Sequence, residues 1–163
     1  MDLSQLAQLG EFIGGIGVFA TLIYLAIQVR QSNAMQNTAA ELARAEANEN
    51  ASRGWSTWRQ MLTDSELSSI WRKAHESEEL SPDERVRLHY IMAELTYASL
   101  TANTRFLAAD ASEYDGVPQA VLAREIGTST VMREAWTEMS EELRAYGLQQ
   151  FESEVSNLLQ SAE

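Results

Sequence analysis

FIGGIGVFATLIYLAIQV, residues 12–29, is eighteen residues without a charge in a chain of 163 residues whose formal net charge is -12. At 1.5 Å per residue it makes a helix about 27 Å long, close to the roughly 30 Å hydrocarbon core of a bilayer. The expectation is a transmembrane anchor that spans with little room for tilt. Asp2 and Glu11 against Arg30 leave the first thirty residues at -1, so -11 of the total falls on residues 31–163. The apolar opening and the acidic remainder therefore belong to different surroundings.

Two rival readings of the opening stretch lead elsewhere. A secretory signal wants lysine or arginine before the apolar run and a small-x-small site after it. Here Asp2 and Glu11 precede the run and Gln28, Val29 and Arg30 follow. A buried core helix is the nearer rival, because Gly10, Gly14, Gly15, Gly17 and Thr21 dilute the hydrophobicity. GIGVFA, residues 15–20, also matches the dinucleotide pattern G-x-G-x-x-A. That pattern carries meaning only between a strand and a helix, and no strand-like stretch precedes it, so the match is read as accidental. Arg30 is the basic residue nearest the run, and basic residues favour the cytoplasmic side. The N-terminus is then expected outside and the long C-terminal part in the cytoplasm.

Within the run the small residues share a face. At 100° per residue Gly10, Gly14, Gly17, Thr21, Leu25 and Gln28 fit within an arc of roughly 80°, and Gly10-x-x-x-Gly14 is a close-approach motif. Lipid tails give no hydrophobic reward for helix association, so such a seam would act by backbone contact and by hydrogen bonds from Thr21 or Gln28. The partner expected is a second copy of the chain or the membrane helix of another protein. Glu11 lies roughly 90° from the seam's centre, at the headgroup boundary. A ring of such carboxylates in an oligomer would attract cations, which makes a small homo-oligomeric ion channel the alternative function, together with an accessory subunit of a larger membrane complex.

Beyond Arg30 the chain reads as helices, giving an all-α protein with an anchor over 1–30, a helical stalk over 31–62 and a cytoplasmic bundle over 63–163. Neither glycine nor proline occurs between Gly17 and Gly54, and residues 34–51 are rich in alanine, glutamate, glutamine and arginine, all compatible with a helix continuing from the anchor. TDSE, 63–66, predicts a capping box from Thr63 to Glu66, and SPDE, 81–84, a stronger start in which Ser81 caps and Pro82 takes the first helical position. The helix that Ser81 opens should run to about Ala109. Residues 110–118 read as a loop before a shorter helix ending at Gly127. Thr128 to Thr130 then offer caps for the next helix, which Gly147 interrupts before a last helix. Trp55 and Trp58 are expected to cover the bundle core.

A resemblance covers nearly the whole chain. Its pieces are LGEFIGGIGVFATLIYLAIQVRQSN (9–33), SELSSIWRKAH (65–75), ELSPDERVRL (79–88) and ELRAYGLQQFESEVSNLL (142–159). In these the chain resembles a large bacterial family of small single-span proteins. The resemblance implies an inner-membrane anchor with a cytoplasmic helical domain and brings no assigned activity. The chain departs from the family pattern near residues 127–137, where paired tryptophans are common and only Trp136 stands.

No constellation identifies a reaction. A chain this acidic repels phosphate backbones, so nucleic acid is not an expected partner. The absence of cysteine removes disulfides, thiolate nucleophiles and cysteine-ligated metals. His75 and His89 lack the Glu-x-x-His spacing of bundle metal sites, and Glu134, Glu138, Glu141 and Glu142 read as a solvated acidic face. No G-x-S-x-G and no phosphate-cradling glycine loop occurs. The expectation is a non-enzymatic interaction or scaffold protein without metal or cofactor, acting through the lipid bilayer and a helix partner.

Overall fold

A computed structural model describes residues 2–161 and is all-α, with no strand among the described residues. The elements are α1 (Leu3–Met61), α2 (Ser65–His75), α3 (Pro82–Ala108), a single 3-10 turn (Ser112–Tyr114), α4 (Val117–Ile126), α5 (Thr130–Ala145) and α6 (Gln149–Ser161). The chain divides into two units, residues 1–42 and residues 43–163. The first is the leading part of α1, and the second is a bundle built from the rest.

The bundle is organised around α3, which packs against α2, α4 and α5, while α6 closes on α4 and α5. Its core holds Ile91, Met92, Leu95, Leu122, Ile126 and Met132, each almost without solvent contact. Leu88, Leu95 and Ala102 recur on one face of α3 at helical spacing, as read from the sequence. A smaller cluster joins Ala47 and Ala51 of α1 to Ala102 and Phe106 of α3 and to Ala111. Residues 43–61 are therefore part of the bundle, and the segment read as stalk ends where packing begins. Gly54 lies close to α3: a Cβ there would lie 3.6 Å from the Ala98 Cβ. All four tryptophans belong to the core. Trp58 and Trp136 are buried, Trp55 and Trp71 pack against the same cluster, and the Trp58 and Trp71 rings meet edge to face at 5.3 Å.

The helix starts follow side-chain chemistry. Ser81 and Glu84 form the reciprocal capping box, with Pro82 at the first turn. Glu84 also takes a 2.7 Å hydrogen bond from Lys73. That ammonium above all, and then the Ser81 backbone and hydroxyl, lower its carboxyl to about 2. At α2 the expected Thr63 to Glu66 box does not form. Asp64 caps instead, accepting from the N–H groups of Glu66 and Leu67 at 2.9 and 3.0 Å. Thr63 is taken up by the turn that closes α1, where its hydroxyl donates to the Gln60 carbonyl at 2.7 Å. Ser129 caps α5 by accepting from Met132 N–H at 3.1 Å, and its hydroxyl donates to the Ala74 carbonyl at the end of α2. One buried serine thus starts one helix and ties it to the close of another.

Three helix ends use a left-handed residue. After α5 it is Gly147 (φ 80°), with Leu148 N–H on Leu143 and Gly147 N–H on Arg144. The same pair of bonds recurs after α2 around Ser77 (φ 56°) and after α3 around Asp110 (φ 50°). Such a geometry favours glycine, and serine and aspartate hold it here at a small steric penalty. Leu158 of α6 is exposed at 38 %, whereas Phe151, Val155 and Leu159 of the same helix are buried.

Candidate functional site

The candidate site is the face of α1 that carries Gly10, Gly14 and Gly17. Residues 12–29 lie wholly within the helix, so the G-x-G-x-x-A match at 15–20 sits in a helix interior with no strand before it. The most apolar eighteen-residue window of α1 is long and apolar enough to cross a membrane and is 0 % buried. Phe12 and Phe19 are each 67 % exposed and Val29 57 %. The core-helix reading requires this stretch to be buried, and among the described residues its apolar side chains are exposed. An exposed run of eighteen uncharged residues, with Thr21 and Gln28 as its polar members, is a much larger patch than a soluble surface ordinarily carries.

A Cβ built at Gly10, Gly14, Gly15 or Gly17 meets nothing within 4 Å. The glycines are therefore not required by any contact within the described residues, and the space over them is free for another backbone. Gly10, Gly14, Gly17, Thr21 and Gln28 are all exposed. Their polar members are already engaged within the helix. The Thr21 hydroxyl donates to the Gly17 carbonyl at 2.8 Å, and the Gln28 amide donates to the Tyr24 hydroxyl at 2.8 Å. Satisfying polar groups inside the helix suits a lipid environment, where an unpaired donor costs several kcal/mol, on the order of a lost hydrogen bond in hydrocarbon. It also moves the weight of any association from hydrogen bonds to glycine contact. The Gln28 carbonyl oxygen and the Thr21 lone pairs remain as acceptors.

Glu11 stands apart from this face. With Gln8, Phe12, Ile16 and Phe19 it surrounds Gly15 in a shallow notch of about 570 Å³. At 100° per residue this notch lies on roughly the opposite side of the helix from the glycine seam.

The other residues singled out from the sequence fall at the edge of the bundle. His75 contacts the Trp71 carbonyl at 2.9 Å and Glu125 at 3.5 Å, and His89 lies 3.3 Å from Glu142. Both histidines are half-buried, and Glu134, Glu138, Glu141 and Glu142 are exposed. No group of three metal-ligating side chains comes together among the described residues. Sequence reasoning missed two polar assemblies. In one, Glu152 of α6, only 4 % exposed, takes two hydrogen bonds from Arg144 of α5, at 2.8 and 3.1 Å. The Ser156 hydroxyl adds a third at 2.9 Å and is itself reached by the Trp136 N–H at 3.3 Å. The Arg144 guanidinium first, and Ser156 as well, hold the Glu152 carboxyl below its ordinary value against the opposing effect of burial. In the other, Gln119 of α4 bridges Asn103 and Glu154.

No family model, no curated protein and no solved structure matches the chain. The class the fold defines is thus a small all-α bundle preceded by an apolar, uncovered helix.

Proposed function

We propose that this is a non-enzymatic, membrane-anchored interaction protein. Its leading helix lies in a bacterial inner membrane with the N-terminus outside, and its acidic bundle lies in the cytoplasm. The helix joins a second copy, or docks on the span of another membrane protein, through Gly10, Gly14, Gly17, Thr21 and Gln28. The observation that carries the reading is the open space over Gly10, Gly14, Gly15 and Gly17 in an apolar stretch that is 0 % buried among the described residues. Gly10 and Gly14 let two backbones approach, and dispersion over that contact supplies the association that lipid cannot. Arg30 supports the orientation through the positive-inside tendency. The resemblance carried by residues 9–33 and 79–88 supports the same placement.

Bundle chemistry agrees with a recruiting or spacing role in its strongly acidic surface, which steers toward basic partners and away from phosphate backbones. The channel alternative draws on Glu11 with Thr21 and Gln28 near a pore, and the Glu11 carboxylate belongs to the notch over Gly15 and not to the glycine face that carries the other two.

Energy transfer between donor- and acceptor-labelled full-length chains in lipid vesicles tests the reading. Transfer should be well above that of randomly mixed chains, and Gly14→Leu should abolish it, since one bulky side chain at the crossing point separates the backbones. If unlabelled native membranes must be added before the wild type changes its environment, the partner is another membrane protein. Transfer at the random level with and without such membranes, unaltered by Gly14→Leu, contradicts the seam.

A further inference from the structure

A cavity of about 920 Å³ opens on the bundle between α3, the turn before α4, and α6. Its size is that of a small-molecule site. The apolar part of its wall is formed by Leu100, Leu148, Phe151 and Leu158, and the polar part by Asn103, Gln119 and Glu154, with Asp115 beside them. Among the described residues the wall holds two carboxylates and no lysine, arginine or histidine.

Gln119 is 3 % exposed, and its amide nitrogen donates to Asn103 Oδ1 at 3.0 Å and to Glu154 Oε2 at 2.6 Å. Both partners are acceptors, which fixes the amide orientation: turning it over would set its oxygen against two other oxygens. The Gln119 Oε1 is thereby left buried with no hydrogen-bond partner. An unpaired buried acceptor in a folded protein calls for an explanation. It belongs to a side chain lining a wall whose ionisable groups, among the described residues, are the carboxylates of Asp115 and Glu154. Neutral donors are also present at Thr104, Gln150, Asn157 and Ser161, the Gln150 amide donating to Glu154 Oε1 at 3.1 Å.

We propose that this cavity binds a small organic amine, its ammonium set against Glu154, Asn103 and Gln119 and its apolar body along Leu100, Phe151 and Leu158. An ammonium brings three donors and a positive charge to set against the Glu154 carboxylate. A carboxylate or phosphate ligand would meet Asp115 and Glu154 with like charge, and a neutral alcohol would leave the carboxylate without a counter-charge. The site is independent of the membrane seam, because all its residues belong to 43–163.

The test is a titration of isotopically labelled full-length protein in lipid nanodiscs with phenethylamine, 2-phenylethanol and 3-phenylpropionate, read at the side-chain amide signals of Gln119 and Asn103. Phenethylamine should shift these signals saturably and bind at least about tenfold more tightly than the alcohol or the acid. Glu154→Gln should bring amine and alcohol to within about twofold of each other. Leu107→Lys places a charge at the rim, at a side chain 64 % exposed and so outside the core. It should weaken amine binding while leaving the thermal midpoint unchanged. Equal affinities for the three probes, no saturable shift, or an amine preference that survives both substitutions would overturn the proposal. So would saturation by a lysine-bearing amphipathic peptide but not by the amine, which would assign the cavity to a protein partner.

Discussion

Replacing Arg144 by methionine probes a charge pair that joins two bundle helices through a buried carboxylate. The guanidinium supplies two of the three side-chain donors to Glu152, and Met retains much of the stem that lies along the protein surface. Removing one partner of a fully buried ion pair costs about 3–5 kcal/mol because the other charge is stranded. Arg144 is itself 55 % exposed, so water screens the pair and partly replaces the lost donors, and the expected loss falls to about 1–2 kcal/mol. The sign of the pH dependence follows from the lowered Glu152 carboxyl. Its stabilisation is fully present above the unfolded value near 4.5 and is lost as pH falls through the lower folded value. In Arg144→Met the carboxylate is buried with Ser156 alone, and protonation relieves it. The gap between wild type and variant should therefore be widest near neutral pH and close as pH falls below about 4.5. Urea unfolding of the full chain in micelles, followed by tryptophan fluorescence, measures this, since Trp136 lies in the same network. A gap under about 0.5 kcal/mol at pH 7, or one that stays constant down to pH 3, would refute the reasoning.

Three further substitutions follow from the same structure and are read by the same unfolding assay. Ser129→Ala removes the α5 cap and the bond to Ala74 together and should destabilise the bundle by about 1–2 kcal/mol; a loss under about 0.3 would mean that water replaces both. Thr96 is fully buried with an unpaired hydroxyl, so Thr96→Val should stabilise by roughly 1 kcal/mol, and a comparable loss would show that the hydroxyl has a partner. Asp110→Gly relieves a left-handed backbone and gives up only a 3.9 Å ion pair to Arg44 whose carboxylate is 98 % exposed, so a gain of about 0.5 kcal/mol is expected and a loss would count against the strain argument.

What could be read in advance tracks how local its cause is. The Ser81 start was legible because cap, proline and acid lie within four consecutive residues. At α2 two neighbours could cap, and only the turn that consumes the Thr63 hydroxyl decides for Asp64. The end of α3 was legible to within a residue, Ala108 against the expected Ala109, whereas the left-handed turns at Ser77 and Asp110 were not, because they hold a geometry usually announced by glycine. In segment 43–61 the packing of Trp55 and Trp58 was legible, whereas that of Ala47, Ala51 and Gly54, within the stretch read as a helical stalk, was not, because small side chains carry little hydrophobic signal. The glycine face of α1 was visible as periodicity, whereas the internal capture of Thr21 and Gln28 depends on rotamers. Gln119 meets Asn103 across 16 positions and Glu154 across 35, separations to which no spacing rule applies.

The proposed membrane placement of residues 12–29 predicts that the protein partitions with lipid. Flotation of native membranes through a density gradient, without detergent and after an alkaline carbonate wash, measures this directly. The full-length protein should rise with the lipid fraction. Protein left at the bottom of the gradient, with the membranes recovered intact above it, would contradict the placement and the association seam with it.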